Sequence, residues 1–107
     1  MSLDLALAAL ADPTRRAIVE RLARGPSPVG ELSRPFPISA PAISRHLRVL
    51  ESAALIVSER QGKGRICRIV PETLTEARGW FEDQTRFWTA SFDRLDAHLA
   101  ATERTEK

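Results

Sequence analysis

Two arginines three residues apart carry the most informative chemistry in this chain. Arg45 and Arg48 lie within Ser39-Ala-Pro-Ala-Ile-Ser-Arg-His-Leu-Arg-Val-Leu-Glu-Ser-Ala53. Ile43, Leu47 and Leu50 recur there at i, i+4, i+7, the pattern of a helix with one apolar face. At about 100° per residue, Pro41, Arg45 and Arg48 fall on the opposite side, with Ala42 and Ser44 at its edges. Ser39 is placed to cap this helix, and Pro41 suits its first turn. Small residues at the start of the outer face allow close approach to a groove. Guanidinium groups further along can reach phosphates or guanine edges. A surface helix with merely solvated arginines is the competing reading, and the neighbouring segments decide between the two.

Other chemistries find little support. The single cysteine, Cys67, excludes an internal disulfide and any Cys–Cys metal pair within the chain. As a lone thiol in a β-rich run it reads as a small buried apolar residue rather than a redox sensor. There is no Gly-rich phosphate loop, no Ser/His/Asp set at a recognisable spacing and no cluster of metal ligands. The chain therefore does not read as an enzyme, and no cofactor is expected. His46, at the edge of the apolar face, can pack or hydrogen-bond locally, or touch DNA.

A chain of 107 residues fits one domain. No apolar run reaches the ~18 residues that span a membrane. No basic-then-apolar leader opens the chain, so a cytoplasmic protein without membrane association is expected. The net charge of +2 is unevenly spread: residues 1–70 carry +5 and residues 71–107 carry −3. A basic body with an acidic last segment suits a body that meets a polyanion.

The elements that must position Arg45 and Arg48 are legible in order. Leu3, Leu7 and Leu10 recur at helical spacing in an Ala-rich stretch, predicting a helix over 3–10. Asp12-Pro13 starts a second helix running to Arg24, with Ile18 and Leu22 buried, and Gly25-Pro26 ends it. Ser27-Pro28 starts a short third helix with Val29, Leu32 and Phe36 on one side. Pro35 and Pro37 limit it to an end near Arg34. A short helix, a Pro-stiffened turn and the helix at Ser39 have the spacing of a helix-turn-helix.

After Ala54 the period changes. Leu55–Arg60 and Arg65–Val70 are β-rich runs joined by Gln61-Gly-Lys-Gly64, a hairpin placed as a wing beside the helix. Arg60, Lys63 and Arg65 on its tip and flanks can grip phosphates. Edge protection by charge is the alternative for Lys63 and Arg65. Pro71 is expected to break the second strand, and a helical pattern returns over about 75–102. Trp80, Phe81, Phe87, Trp88, Phe92, Leu95 and Leu99 form a broad apolar stripe that includes five of the six aromatic residues. So long an aromatic face is best buried against a second copy, with Leu3 and Leu7 of the first helix beside it, in a twofold homodimer.

Ala9-Leu-Ala-Asp-Pro-Thr-Arg-Arg-Ala-Ile18 followed by Ile43-Ser-Arg-His-Leu-Arg-Val-Leu50 resembles the ArsR family of bacterial winged helix-turn-helix repressors, over roughly residues 3–100. The resemblance implies a mainly α (α+β) fold of five helices and a two-stranded wing, forming a homodimer through the first and last helices. It implies binding of double-stranded DNA at an inverted-repeat operator, with repression as the default. It places Ser39, Ala40, Ser44, Arg45 and His46 where the family's recognition helix meets DNA; Pro41 and Arg48 share the outer face. Ala40 stands where the family often has Gln, so a side chain able to read adenine bidentately is missing.

The resemblance also raises metal sensing. The positions matching the family's thiol site are Pro28, Gly30 and Ser33, none of them a soft-metal ligand. Asp96-Ala-His98 only partly echoes the site on the last helix: ligands at i, i+2 are far apart around a helix. A repressor that does not respond to metal is therefore expected, with no effector identifiable. A ligand- or redox-switched sensor of the same fold, or a winged-helix module that binds protein, are the alternatives.

Overall fold

The computed structural model describes residues 2–106, with side chains as far as residue 102. In chain order the elements are α1 (Leu3–Leu10), α2 (Pro13–Ala23), β1 (Ser27–Pro28), α3 (Val29–Leu32), α4 (Ala40–Ser52), β2 (Ile56–Gln61), β3 (Gly64–Ile69) and α5 (Pro71–Glu106). This is a winged helix-turn-helix. Contacts divide the chain into two compact units, residues 1–77 and 78–107.

The caps at Asp12 and Ser39 sit where the sequence places them, and Ser2 adds a third. Ser2 Oγ accepts from the Leu5 amide, Asp12 Oδ2 from Arg15 at 2.9 Å, and Ser39 Oγ from Ala42 at 3.3 Å. Each satisfies one amide that has no intrahelical partner. At the far end of α4 the chain turns through Ala54 at φ +59°. The Leu55 amide reaches back to the Leu50 carbonyl and the Ala54 amide to that of Glu51, each at 3.0 Å. This is a Schellman turn, and its accompanying apolar pair, Leu50 and Leu55, is fully buried. It swings the chain out of α4 and straight into β2.

The core of the first unit joins Ile18 and Leu22 of α2, Leu32 of α3, Ile43, Leu47 and Leu50 of α4, Leu55 of the turn that follows, and Ile56 and Cys67 from the sheet. At ~1.5–3 kcal/mol per buried aliphatic side chain, this cluster fixes which way α4 faces.

Several boundaries differ from the sequence reading. Ser27-Pro28 does not start α3; it forms a short third strand, so the sheet has three antiparallel strands in the order β1-β3-β2. Ser27 pairs with Cys67 and Pro28 with Ile66. Proline is tolerated because β1 is an edge strand, where its missing N–H interrupts no ladder. α3 accordingly shrinks to Val29–Leu32. The wing turn is tighter than four residues: Gln61 still pairs with Gly64, leaving Gly62-Lys63 as the turn. Gly62 takes φ +61°, the left-handed conformation that the first position of such a hairpin demands. Pro71 opens α5 rather than merely ending a strand, since the first helical turn needs no amide donor. α5 also continues past residue 102, to Glu106.

In the second unit α5 carries Trp80, Phe81, Phe87, Trp88, Phe92, Leu95 and Leu99, between 42% and 59% exposed in the single chain. In the first unit, Leu3 and Leu7 are half-buried. No helix is long and apolar enough to cross a membrane among the described residues.

Candidate nucleic-acid interface

The apolar face of α4 is anchored in the core, and this turns its other face outward. Ser39, Ala40, Pro41, Ser44, Arg45 and Arg48 are all exposed. Arg45 and Arg48 make no hydrogen bond or ion pair with any described residue. Some other cations are paired: Arg68 with Glu59 at 3.9 Å, Arg78 with Glu82 at 3.4 Å, and Arg86 with Asp83. Two permanent charges left unpaired on a rigid, small-residue face are free to meet a polyanion.

The wing adds two more such cations. Arg60 and Lys63 are exposed and unpartnered among the described residues. Arg65 is held differently. Its Nη2 donates to Ser58 Oγ at 3.0 Å, and that hydroxyl donates to Glu51 Oε1 at 2.7 Å. The chain of bonds runs from β3 through β2 to the last turn of α4. A cleft of about 230 Å³ lies beside it, bounded by Ser44 and Arg48 on one side and Ser58 and Arg65 on the other.

His46 takes the local option. Its Nδ1 lies 3.4 Å from Arg15 Nη1 and 3.9 Å from Asp12 Oδ2, and the ring is half-buried. It joins α4 to the start of α2 instead of lying among the outward residues. The Asp12 carboxyl is held below the usual carboxylate range, first by the Arg15 amide and then by the charges of His46 and Arg15, against some opposing desolvation. Burial pushes the Cys67 thiol up, the Glu51 charge adds to this and Arg65 opposes it. A thiol so placed is a weak nucleophile.

Sequence reasoning missed Arg15 and Arg16. Arg15 Nε donates to the Ala9 carbonyl at 2.6 Å and Arg16 Nη1 to that of Leu10 at 2.8 Å, so α2 clamps the C-terminal end of α1. The Asp-Pro-Thr-Arg-Arg run carried the signal, but the sequence reading gave its two arginines no structural role. Ser33, one of the three positions matching the thiol site, donates to the Gly30 carbonyl at 2.9 Å. No group of three or more His, Cys, Asp or Glu that could hold a metal is present among the described residues.

Comparison with known proteins follows the same lines. A family model described as a helix-turn-helix domain matches residues 10–59. The chain is 51% identical over 86 residues to the HTH-type transcriptional regulator Rv2034 of Mycobacterium tuberculosis, covering 80% of this chain and 78% of that one. It is 35% identical over 72 residues to the transcriptional repressor SdpR of Bacillus subtilis, covering 67% and 80%. The crystal structure of the ArsR family transcriptional regulator RHA00566 superposes with a TM-score of 0.77 at 40% identity, over 81% of this chain and 96% of that chain.

Proposed function

The chain belongs to the ArsR family of helix-turn-helix transcriptional regulators, and from that membership we propose that it is a homodimeric repressor of an inverted-repeat operator, reading DNA with α4 and gripping it with the wing. As a family member it is a DNA-binding regulator and not an enzyme. The observation that carries the finer reading is the pair of unpartnered guanidinium groups, Arg45 and Arg48, on a helix whose opposite face is locked into the core. Ser39, Ala40, Pro41 and Ser44 let the helix approach the groove, Arg45 and Arg48 reach base edges or phosphates, and Arg60, Lys63 and Arg65 hold the backbone alongside. His46 supports the helix from behind.

Two copies are needed to read an inverted repeat. The stripe on α5 supplies the means. Phe81, Trp88 and Leu95 recur every seven residues, with Phe92 and Leu99 four beyond Trp88 and Leu95, the spacing of a helix–helix seam. So much apolar surface left to water marks an interface. Leu3 and Leu7 of α1 belong to the same proposed interface, and residues 1–107 act as one DNA-binding domain whose last helix serves self-association. The protein works in the cytoplasm, on the chromosome, without a resident cofactor.

Pro28, Gly30 and Ser33 offer no soft ligand, so the repressor does not respond to metal through that site. Footprinting of the purified protein on the DNA upstream of its own coding sequence, with and without Zn²⁺, tests both points. A protected inverted repeat unaffected by the metal is expected. Absence of protection, or release by one Zn²⁺ per chain, would contradict it.

A further inference from the structure

A groove between α1 and α4 shares Arg45 and Arg48 with the DNA contacts assigned above, and its apolar walls play no part in them. Its volume is about 350 Å³, at the small end of the range for sites that hold small molecules. Leu5 and Ala8 form one wall and Val49 belongs to the other. Leu5 is 54% and Val49 37% exposed, so both walls present apolar surface to water. Arg15, Arg45 and Arg48 are among the residues that line it, and none of the lining residues is acidic. Arg15 is fixed, since its Nη2 donates to the Ala8 carbonyl at 3.3 Å. Arg45 and Arg48 have no partner among the described residues.

That combination selects one kind of occupant. A neutral apolar molecule covers the walls but leaves the cations unmatched. A bare anion pairs with the cations and leaves the walls wet. A molecule with an apolar chain and a carboxylate head satisfies both. The groove is also distinct from the part of α1 assigned to self-association: Leu5 and Ala8 lie about 100–160° around the helix from Leu3 and Leu7.

We infer that the α1–α4 groove binds a medium-chain carboxylate, whose head group engages Arg45 and Arg48 and thereby competes with DNA. The competition rests on the proposed DNA role of these arginines; the binding itself does not. Occupation of the groove makes the carboxylate an inducer, releasing the operator by occupying the residues that read it.

The test uses the full chain and decanoate below its micelle-forming concentration. Decan-1-ol serves as the same chain without charge, and acetate as the charge without the chain. Calorimetry is expected to show one saturable decanoate per chain, with no comparable binding of the other two. Ala8→Trp, which fills the groove, and Leu5→Asp, which sets a negative charge against the head group, should each abolish it. Both positions are exposed, and either variant suffices if the other does not fold. Decanoate should then lower operator affinity by about 5–150-fold, and operator DNA should lower decanoate affinity by the same factor. No saturable binding, equal binding of decan-1-ol, or undiminished binding by the folded variants would overturn the site. Saturable groove binding that leaves operator affinity unchanged would overturn the competition. Groove binding by a protein that binds no DNA would sink the DNA reading and leave the site standing; operator binding without decanoate binding would do the reverse.

Discussion

Ser58 Oγ donates a 2.7 Å hydrogen bond to Glu51 Oε1, tying the first strand of the wing to the last turn of α4. The same hydroxyl accepts from Arg65, so the wing cation is aimed by a residue that α4 itself holds. Replacing Ser58 with Ala cuts both bonds. Unfolding in urea should show a loss of about 0.5–1.5 kcal/mol per bond at most, at the low end because the site is partly exposed. Operator and scrambled DNA should lose affinity by similar factors, because only backbone grip is disturbed. Unchanged affinity for both would show that the tie does not position Arg65 for DNA.

Ala54 occupies a left-handed conformation, φ +59°, at the turn between α4 and β2. For a residue with a Cβ that conformation costs about 1–2 kcal/mol. Ala54→Gly removes the strain but adds freedom to the unfolded chain, for a net gain of about 0.5–1 kcal/mol. A rise in the urea midpoint at constant slope is the expected readout. A fall would mean that unfolded-chain entropy outweighs the strain.

The Asp12 carboxyl is stabilised in its charged form by the Arg15 amide, with His46 and Arg15 nearby. Because its folded pKa is depressed, its contribution is present above the ordinary Asp value of ~3.9 and is lost as pH falls through the lowered folded value. Asp12→Asn keeps a capping oxygen and removes the charge. Wild type should be the more stable at pH 7, and the gap should close in acid. A gap that stayed constant from pH 7 to pH 2.5 would assign the effect to the cap alone.

Phe92 lies in the exposed apolar stripe of α5, 59% exposed in the single chain. Phe92→Glu would bury an unpaired charge in the proposed interface, a cost of several kcal/mol. Sedimentation at micromolar concentration should show wild type as a dimer and the variant as a monomer, with operator affinity lost alongside. A monomeric wild type would refute the assignment of the stripe.

The helical part of this architecture was legible because its signals are local. Leu-Ile spacing and the caps at Asp12 and Ser39 depend on neighbours a turn away. What escaped depends on distant partners. Ser27-Pro28 becomes a strand only because Cys67 and Ile66 lie beside it, and two residues carry no period. Pro71 looked like a breaker because a proline that ends a strand and one that opens a helix have the same local signature. The outward arginines were readable from the helical period. The fate of His46 was not, since it is decided by Arg15, 31 residues away. Nor could alternation in β3 name its buried face, because Arg and aliphatic residues share both sides. The structure buries Cys67 while leaving Arg65 and Arg68 exposed.

The most direct measurement compares Arg45→Ala and Lys63→Ala on operator and scrambled DNA across a salt series. Arg45 stands on the outward face of α4, so its loss should cost about 1–3 kcal/mol on operator and erode discrimination. Lys63 stands at the wing tip, so its loss should weaken both sequences alike. The salt slope should then fall by about 0.9 per lost phosphate contact, doubled in a twofold dimer. Discrimination lost with Arg45→Ala and kept with Lys63→Ala is the expected result. The opposite pattern would make the wing the reader, and no effect of either variant would mean that the basic face is merely solvated and does not bind DNA.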